Sequence, residues 1–243
     1  MLIFGHRGAA GEAPENTLTG FAHAVRIGVR AFELDVRLSA DHQLVVLHDE
    51  SPARVGGVGQ RVRELTVRQL QGIDTRLLHP AWPEPAPIPT LYEVFTHFPD
   101  LDAYQLEIKA APPQDLLIIA SELVTLINEF ELQARVQISS FEADALEIMG
   151  QIAPDLPRAL IGKFDSPWWI DQALALGCDG VCIPHTTGTD EVVDLAHERG
   201  FAITGWPGNG PTAISQLLDW DVDHITSDYP KEALTFLSVL HDF

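Results

Sequence analysis

The stretch Phe32–Asp49, F-E-L-D-V-R-L-S-A-D-H-Q-L-V-V-L-H-D, decides how this chain is read. Phe32, Leu34 and Val36 alternate with Glu33, Asp35 and Arg37, which is the period of a β-strand. Residues two apart share a strand face, so Glu33 and Asp35 point the same way, about 7 Å apart along the strand. Two carboxylates so placed repel each other unless something positive lies between them. A polar turn, Ser39–Gln43, leads to a second apolar run, Leu44–Leu47, that ends in His48-Asp49. The turn is too short for a parallel crossover, so we expect a hairpin that carries His48 back toward the carboxylate pair. A catalytic metal site with a nearby acid or base is one reading of the stretch. A strand with one solvated polar face is the other.

The chain has 243 residues, 46% of them hydrophobic, enough for one sizeable core and close to the usual length of a single α/β barrel. It carries 35 Asp and Glu against 15 Lys and Arg, a formal charge of -20. Such a surface repels nucleic acid and anionic membranes at long range. A local basic pocket remains free to hold an anionic ligand. The N-terminus, M-L-I-F-G-H-R-G, has no basic segment followed by an apolar run, so no secretory signal is read. No run of about 18 apolar residues predicts a membrane span. Cys178 and Cys182 are the two cysteines. They fall on one expected strand, on one face and too far apart to bridge, and read as small buried hydrophobes. The expected location is a reducing compartment, the cytoplasm.

Around the opening stretch the pattern alternates. Expected strands are Leu2–Gly5, Tyr104–Ile108, Arg135–Ser139, Arg158–Gly162, Gly180–Ile183, Phe201–Trp206 and Asp223–Thr226. Expected helices are Thr17–Ile27, Leu91–Phe98, Pro113–Phe130, Glu142–Ile152, Trp168–Leu176, Glu191–Glu198, Ala213–Leu218 and Lys231–Leu240. With the His48 arm set aside as a hairpin, strand and helix alternate eight times, which predicts an α/β fold, a TIM (β/α)8 barrel. A doubly wound sheet is the runner-up. Ser51–Pro89 is irregular and rich in proline, with one short helix expected around Leu65–Leu70, and too long for an ordinary connection. It reads as an insertion after the hairpin, lying over one end of the fold. The chain 1–243 is then a single barrel domain with an inserted segment at about 50–89.

A barrel gathers its catalytic groups at the C-terminal ends of its strands. That rule collects His6 and Arg7, Glu33 and Asp35, Glu107 and Lys109, Ser139 and Phe141, and Trp206. Glu33, Asp35 and Glu107 together suit a hard divalent cation, Mg²⁺ or Ca²⁺. Ion pairing of these acids with Arg7 and Lys109 is the alternative. His6 lies between glycines and His48 ends an apolar run, and a functional role is read for both. Arg7 and Lys109 are scarce cations kept beside carboxylates. They point to an anionic group such as phosphate, with charge balancing as the other reading. The other histidines (His23, His42, His79, His97, His185, His197, His224 and His241) read as surface or structural. Gly205–Gly210 has no following G-K-[ST] and is no P-loop, and no G-x-S-x-G elbow occurs.

The ordered set of motifs resembles the glycerophosphodiester phosphodiesterase family. The pieces are His6-Arg7-Gly8, Pro14-Glu15-Asn16-Thr17, Glu33-Leu34-Asp35-Val36, His48-Asp49, Pro89-Thr90-Leu91, Glu107-Ile108-Lys109, Ser139-Ser140-Phe141 and Ile225-Thr226-Ser227-Asp228-Tyr229-Pro230. The resemblance implies a barrel with a small insertion and metal-dependent cleavage of small glycerophosphodiesters to sn-glycerol 3-phosphate and an alcohol. It implies Glu33, Asp35 and Glu107 as ligands of the divalent cation, His6 and His48 as the acid–base pair, and Arg7 and Lys109 as phosphate holders. Asn16, Phe141 and Trp206 would line the substrate pocket. Two departures stand out: Ala40-Asp41-His42 in the hairpin turn, where the family usually has Thr-Asp-Gly, and Pro207-Gly208-Asn209 after Trp206, where it commonly has Thr-Val-Asn.

Two rival readings belong beside this one. A relative of the same barrel acting on lysophospholipids or sphingolipids needs membrane access, and the acidic surface argues against stable membrane association. A phosphodiester-binding protein without turnover calls for a degenerate site, and none is visible in these motifs.

Overall fold

The computed structural model describes residues 1–241. The chain runs β1 (Leu2–His6), α1 (Leu18–Arg26), β2 (Ala31–Leu38), β3 (Leu44–Val46), α2 (Ala53–Gly56), α3 (Val67–Leu70), α4 (Leu91–His97) and β4 (Ala103–Ile108). It continues through α5 (Pro113–Glu129), β5 (Val136–Ser140), α6 (Ala143–Ile152), β6 (Arg158–Ile161), α7 (Trp168–Ala175) and β7 (Gly180–Pro184). α8 (Asp190–Glu198), β8 (Ala202–Trp206), α9 (Gly210–Asp219), β9 (His224–Ser227) and α10 (Pro230–His241) complete it. The last helix includes His241, whose side chain lies outside the described residues.

Eight of these strands form one parallel ring. From β4 to β9 each pairs with the next; β9 pairs with β1, β1 with β2, and β2 with β4. An open doubly wound sheet has two free edges, and this ring has none. β3 stays outside it, antiparallel to β2 with Val46 opposite Val36. The eightfold alternation and the hairpin arm are both as expected, with boundaries shifted by up to three residues.

The period-2 pattern of β2 sorts its side chains between the outer and inner faces of the ring. Phe32, Leu34 and Val36 turn outward into an apolar cluster with Phe21 of α1, Phe95 of α4 and Ile119 of α5. The rings of Phe21 and Phe32 lie 4.7 Å apart. The opposite face sends Glu33 and Asp35 into the barrel, 5% and 0% exposed. The solvated-face reading therefore does not hold: the polar face is enclosed. A second apolar cluster, including Ile170, Val193, Ile214 and Ile225, seats α7, α8 and α9 against the strands of the other half.

Local chemistry sets the helix starts. Thr17 caps α1, its Oγ1 accepting from Gly20 N at 3.0 Å. Thr90 and Glu93 form a reciprocal capping box on α4, satisfying two backbone donors that a helix start leaves free. Pro113 opens α5, where its missing N–H costs nothing.

The segment after the hairpin arm is more structured than the sequence suggests. Besides α3, which falls within the expected helix, it holds α2 and two 3-10 turns, Val62–Glu64 and Arg76–Leu78. Val55, Val62, Leu65, Leu70 and Ile88 pack with Val45 and Leu47 of the arm into a small core of their own. Thr75 fastens the far end, its N and Oγ1 both donating to Ala86 O at 2.9 and 2.7 Å. The two cysteines are free. They do not share a strand: β7 begins at Gly180, so Cys178 precedes it half-buried while Cys182 is buried within it.

Candidate active site

Register builds the site. β2 and β4 run side by side with Asp35 beside Glu107, and β1 places His6 beside Glu33. Residues two further along share the same strand faces. Arg37 and Lys109 therefore follow the two acids toward the C-terminal mouth, and Lys109 N continues the ladder to Val36 O at 3.3 Å. A row of acids lies beneath a row of cations.

Glu33, Asp35 and Glu107 each offer an oxygen within 4.8 Å of the other two. A hard cation bound through oxygens at ~2.0–2.6 Å spans such a triangle. Asp35 Oδ1 is buried and accepts no hydrogen bond among the described residues; Lys109 Nζ stands 3.3 Å away as an ion contact. Burial and the neighbouring Asp35 charge push Glu33 up to about 8, against the pull of His6. Burial and Asp35 likewise raise Glu107. Burial acts on Asp35 too, but Lys109 and Arg7 outweigh it and hold this carboxyl down at about 2. Three enclosed carboxylates facing two nearby cationic side chains, with one buried oxygen that accepts no hydrogen bond, form a donor set that fits a divalent cation.

Arg7 and Lys109 border the acids. Arg7 Nε lies 3.3 Å from Asp35 Oδ2, and its Nη1 donates to Glu15 Oε1 at 3.0 Å. Lys109 Nζ donates to Glu107 Oε1 at 2.5 Å. Ion pairing and cation binding are thus features of one cluster rather than exclusive readings. Arg7 and Asn16 both have positive φ, 51° and 56°, a backbone region that non-glycine residues rarely occupy unless their surroundings enforce it. Here the enforcement is visible. Arg7 N donates to Glu33 O at 2.9 Å, Asn16 N to Arg7 O at 2.9 Å, and Asn16 Nδ2 to Asp35 Oδ2 at 2.7 Å.

Each histidine is held by an aspartate. His6 Nδ1 lies 2.5 Å from Asp228 Oδ1, and His48 Nδ1 lies 2.7 Å from Asp49 Oδ1. The two environments differ in sign. Burial lowers the His6 pKa, but the Asp228 hydrogen bond and the Glu33 charge outweigh it and leave the ring above its ordinary value. Burial lowers His48, and Arg7 and Lys109 add to it against the pull of Asp35, so this ring sits below its ordinary value.

Between these groups lies a cavity of about 110 Å³, lined by His6, Arg7, Glu33, His48 and Glu107, with Phe141 and Trp206 on its outer side. The Phe141 and Trp206 rings meet edge to face, 6.1 Å apart, and Lys109 Nζ lies 6.0 Å from the Phe141 ring centre. The structure brings His6, Arg7, Glu33, Asp35, His48, Glu107, Lys109, Phe141 and Trp206 to one mouth, with Asn16 directly behind Asp35. Ser139 lies beside Glu107 in register, buried in the wall.

Sequence reasoning gave no role to Asp228, Asn209, Asp49, Glu15 or Arg54. Asn209 Nδ2 donates to Asp228 Oδ2 at 2.6 Å, and its Oδ1 accepts from Asp228 N at 2.9 Å. Asn209, the residue of the Pro207-Gly208-Asn209 run that is no departure, therefore fixes the His6 partner. Position at the end of the last strand was the signal available for Asp228. Gln105, Cys182 and Thr226 also line the cavity; their place on inward strand faces was readable, but their polarity alone was not a signal.

An eight-stranded α/β barrel with a carboxylate cluster fit for a divalent cation and two aspartate-held histidines at its mouth defines a barrel hydrolase. The model of the glycerophosphoryl diester phosphodiesterase family matches residues 6–232. The chain is 30% identical to YhdW of Bacillus subtilis strain 168 over 237 residues, 95% of either chain. It is 28% identical to a glycerophosphodiester phosphodiesterase of Caldanaerobacter subterraneus subsp. tengcongensis over 242 residues, 97% of either chain. An Oleispira antarctica phosphodiesterase, solved in complex with the product sn-glycerol-3-phosphate, shares the fold with a TM-score of 0.88 at 23% identity, over 98% of this chain and 97% of that one. The chain belongs to the glycerophosphoryl diester phosphodiesterase family, and it is an enzyme whose general activity is glycerophosphodiester hydrolysis. No helix among the described residues is long and apolar enough to cross a membrane.

Proposed function

We propose that this enzyme releases sn-glycerol 3-phosphate and a free alcohol from small glycerophosphodiesters by two-histidine acid–base catalysis. The observation that carries the reading is the pair of aspartate-held histidines facing one cavity beside the carboxylate cluster. Glu33, Asp35 and Glu107 would hold Mg²⁺ or Ca²⁺, and the cation would supply charge stabilisation to non-bridging phosphoryl oxygens. Arg7 and Lys109 bind those oxygens from the protein side. Asn16 orients Asp35, and Phe141 and Trp206 wall the organic part of the ester.

The opposite shifts of the two rings support one division of roles, since groups whose environments push their pKa values apart suit the acid and the base. His48, the more readily neutral ring, takes the proton of the glycerol 2-hydroxyl. That oxygen bonds to phosphorus while the bond to the alcohol oxygen breaks, and His6 protonates the departing alcohol. Water then opens the cyclic phosphate with the roles exchanged. The residues act as one barrel domain, and the free cysteines suit the cytoplasm.

The experiment is release of sn-glycerol 3-phosphate from glycerophosphocholine and glycerophosphoethanolamine by chelated enzyme, before and after Mg²⁺ or Ca²⁺ is added back. Metal-restored release is expected, and none from either ester with either ion refutes the reading. One feature favours a second reading, on lysophospholipids. Leu77 and Leu78 of the inserted segment are adjacent and more than half or half exposed, at 59% and 50%, and apolar groups on that segment give a lipid chain a place to rest. Turnover of lysophosphatidylcholine that falls in a Leu77→Ser/Leu78→Ser variant would select it.

A further inference from the structure

One guanidinium connects the two halves of the site. Arg54 lies in α2, outside the barrel. Its Nε donates to Asp49 Oδ2 at 2.6 Å. Its Nη1 and Nη2 donate to the two oxygens of Glu15, at 2.6 and 2.8 Å, as a fork. Asp49 holds His48 through its other oxygen. Glu15 accepts from Arg7 as well, at 3.0 Å on Oε1. The chain of contacts is therefore His48, Asp49, Arg54, Glu15, Arg7. It crosses from the hairpin arm to the inserted segment and on to the loops after β1.

Each link has one geometry. A fork to one carboxylate with the remaining donor on another fixes the plane of a guanidinium. That plane in turn sets where the two carboxylates stand. Glu15 is buried, 7% exposed. Burial would raise its pKa, but Arg54 and Arg7 outweigh this and keep it a carboxylate. The Arg54 guanidinium is the element that the histidine side and the phosphate side share.

We infer that Arg54 is a positioning residue for the hydrolysis: it orients Asp49 behind His48 and Glu15 behind Arg7, and so couples the acid–base and phosphate-binding halves through the inserted segment. The inference rests on the roles proposed above for His48 and Arg7. It also has an electrostatic consequence. Arg54 offsets the charge that Asp49 presents to His48. The other charged groups facing that ring are Asp35 from β2, Arg7 from the turn after β1 and Lys109 from the end of β4, while Arg37 donates to the His48 carbonyl at 2.7 and 3.0 Å. Without Arg54 the Asp49 charge acts on the ring unopposed, and His48 holds its proton to higher pH.

The test compares Arg54→Ala, Arg54→Lys and Asp49→Asn in the full chain with metal. Arg54→Ala is expected to lower kcat/KM about ten- to a hundredfold, the cost of a misplaced catalytic group. It should also move the acid limb of the pH–rate profile up by roughly half a unit. Arg54→Lys keeps the charge but lacks the fork, so the limb returns toward wild type while the rate stays low. Asp49→Asn moves the limb the other way. A structural role alone lowers rate and Tm in Arg54→Ala without moving the limb, and that result overturns the inference. So does a shift of the same sign in Arg54→Ala and Asp49→Asn. If wild type hydrolyses neither ester, the proposed reaction falls, and the same shifts are read from the His48 imidazole by NMR titration. Opposite movements there keep the coupling, and none removes it.

Discussion

The metal-free protein holds a proton where the cation would sit, so metal affinity should depend steeply on pH. Glu33 is pushed from an ordinary 4.5 up to about 8 by burial and by Asp35, and a ligating carboxylate must be deprotonated. Below about pH 8 each bound cation therefore displaces a proton from Glu33, and apparent affinity rises close to tenfold per pH unit. From pH 6 to pH 8 the gain approaches a hundredfold. Glu107 is raised by the same two causes and steepens the dependence. Calorimetric titration of Mg²⁺ into chelated protein at about pH 6.5, in two buffers of different ionisation enthalpy, reads the released proton directly. At least one is expected, and Glu33→Gln should lower the release by about one. Flat affinity with no proton released would mean that Glu33 is already ionised. The cluster would then be balanced by Arg7 and Lys109 alone, and the argument from the Glu33 proton would fail.

The same shift fixes how the stability of the metal-free protein varies with pH. Between 4.5 and about 8 the folded state keeps a proton that the unfolded chain has released, so its stability falls as pH rises through this window. Asp35 acts in the opposite sense, but only below its ordinary 3.8. His6 is raised and adds to the fall, while His48 is lowered and opposes it below its ordinary value. Bound cation removes the carboxylate contribution. The Tm gained on adding Mg²⁺ should therefore grow from about pH 5 to pH 8, as scanning calorimetry would read.

His6→Ala and His48→Ala should each lower kcat by about a hundredfold or more with little change in KM, measured at saturating metal. A rate within threefold of wild type for either removes that residue from the acid–base pair. Asp228→Asn removes the negative charge from the hydrogen-bond partner that raises His6, so the ring loses its proton at lower pH. The alkaline limb of kcat/KM then moves acidward, and an unmoved limb would detach His6 from the acid role.

Much of this was readable from one strand. Alternation in β2 gives the faces of Phe32 to Arg37, and a short turn gives the hairpin that returns His48. What alternation cannot give is what stands across the barrel from a face. Glu33 and Asp35 read equally well as solvated until ring closure encloses them. Asp228 reaches His6 across 222 residues of sequence, a pairing set by the closing of β9 onto β1. Arg54 lies in a segment whose prolines and glycines hide the short α2, and its importance comes from joining nearby Asp49 to Glu15, which lies 39 residues away in sequence. The misplacement of Cys178 has a simpler cause. A residue ahead of Gly180 continues the even spacing of the strand, but the strand has not yet begun.

Charge distribution adds a last consequence. The chain carries -20 overall, yet Arg7, Arg37 and Lys109 stand together at the mouth of the acid cluster. An anionic ester meets two fields: a weak repulsion from the whole body and an attraction felt only near the mouth. Added salt shortens the screening length from about 30 Å at 0.01 M to about 10 Å at 0.1 M. That change removes the long-range repulsion first and spares the contacts inside the partly buried site. For glycerophosphoglycerol, with one net negative charge, kcat/KM should rise by roughly two- to threefold over this range and fall at higher salt. Glycerophosphocholine is neutral overall and should respond less. A steady fall for the glycerol ester from the lowest salt would show that the basic mouth, not the acidic body, governs the approach of substrate.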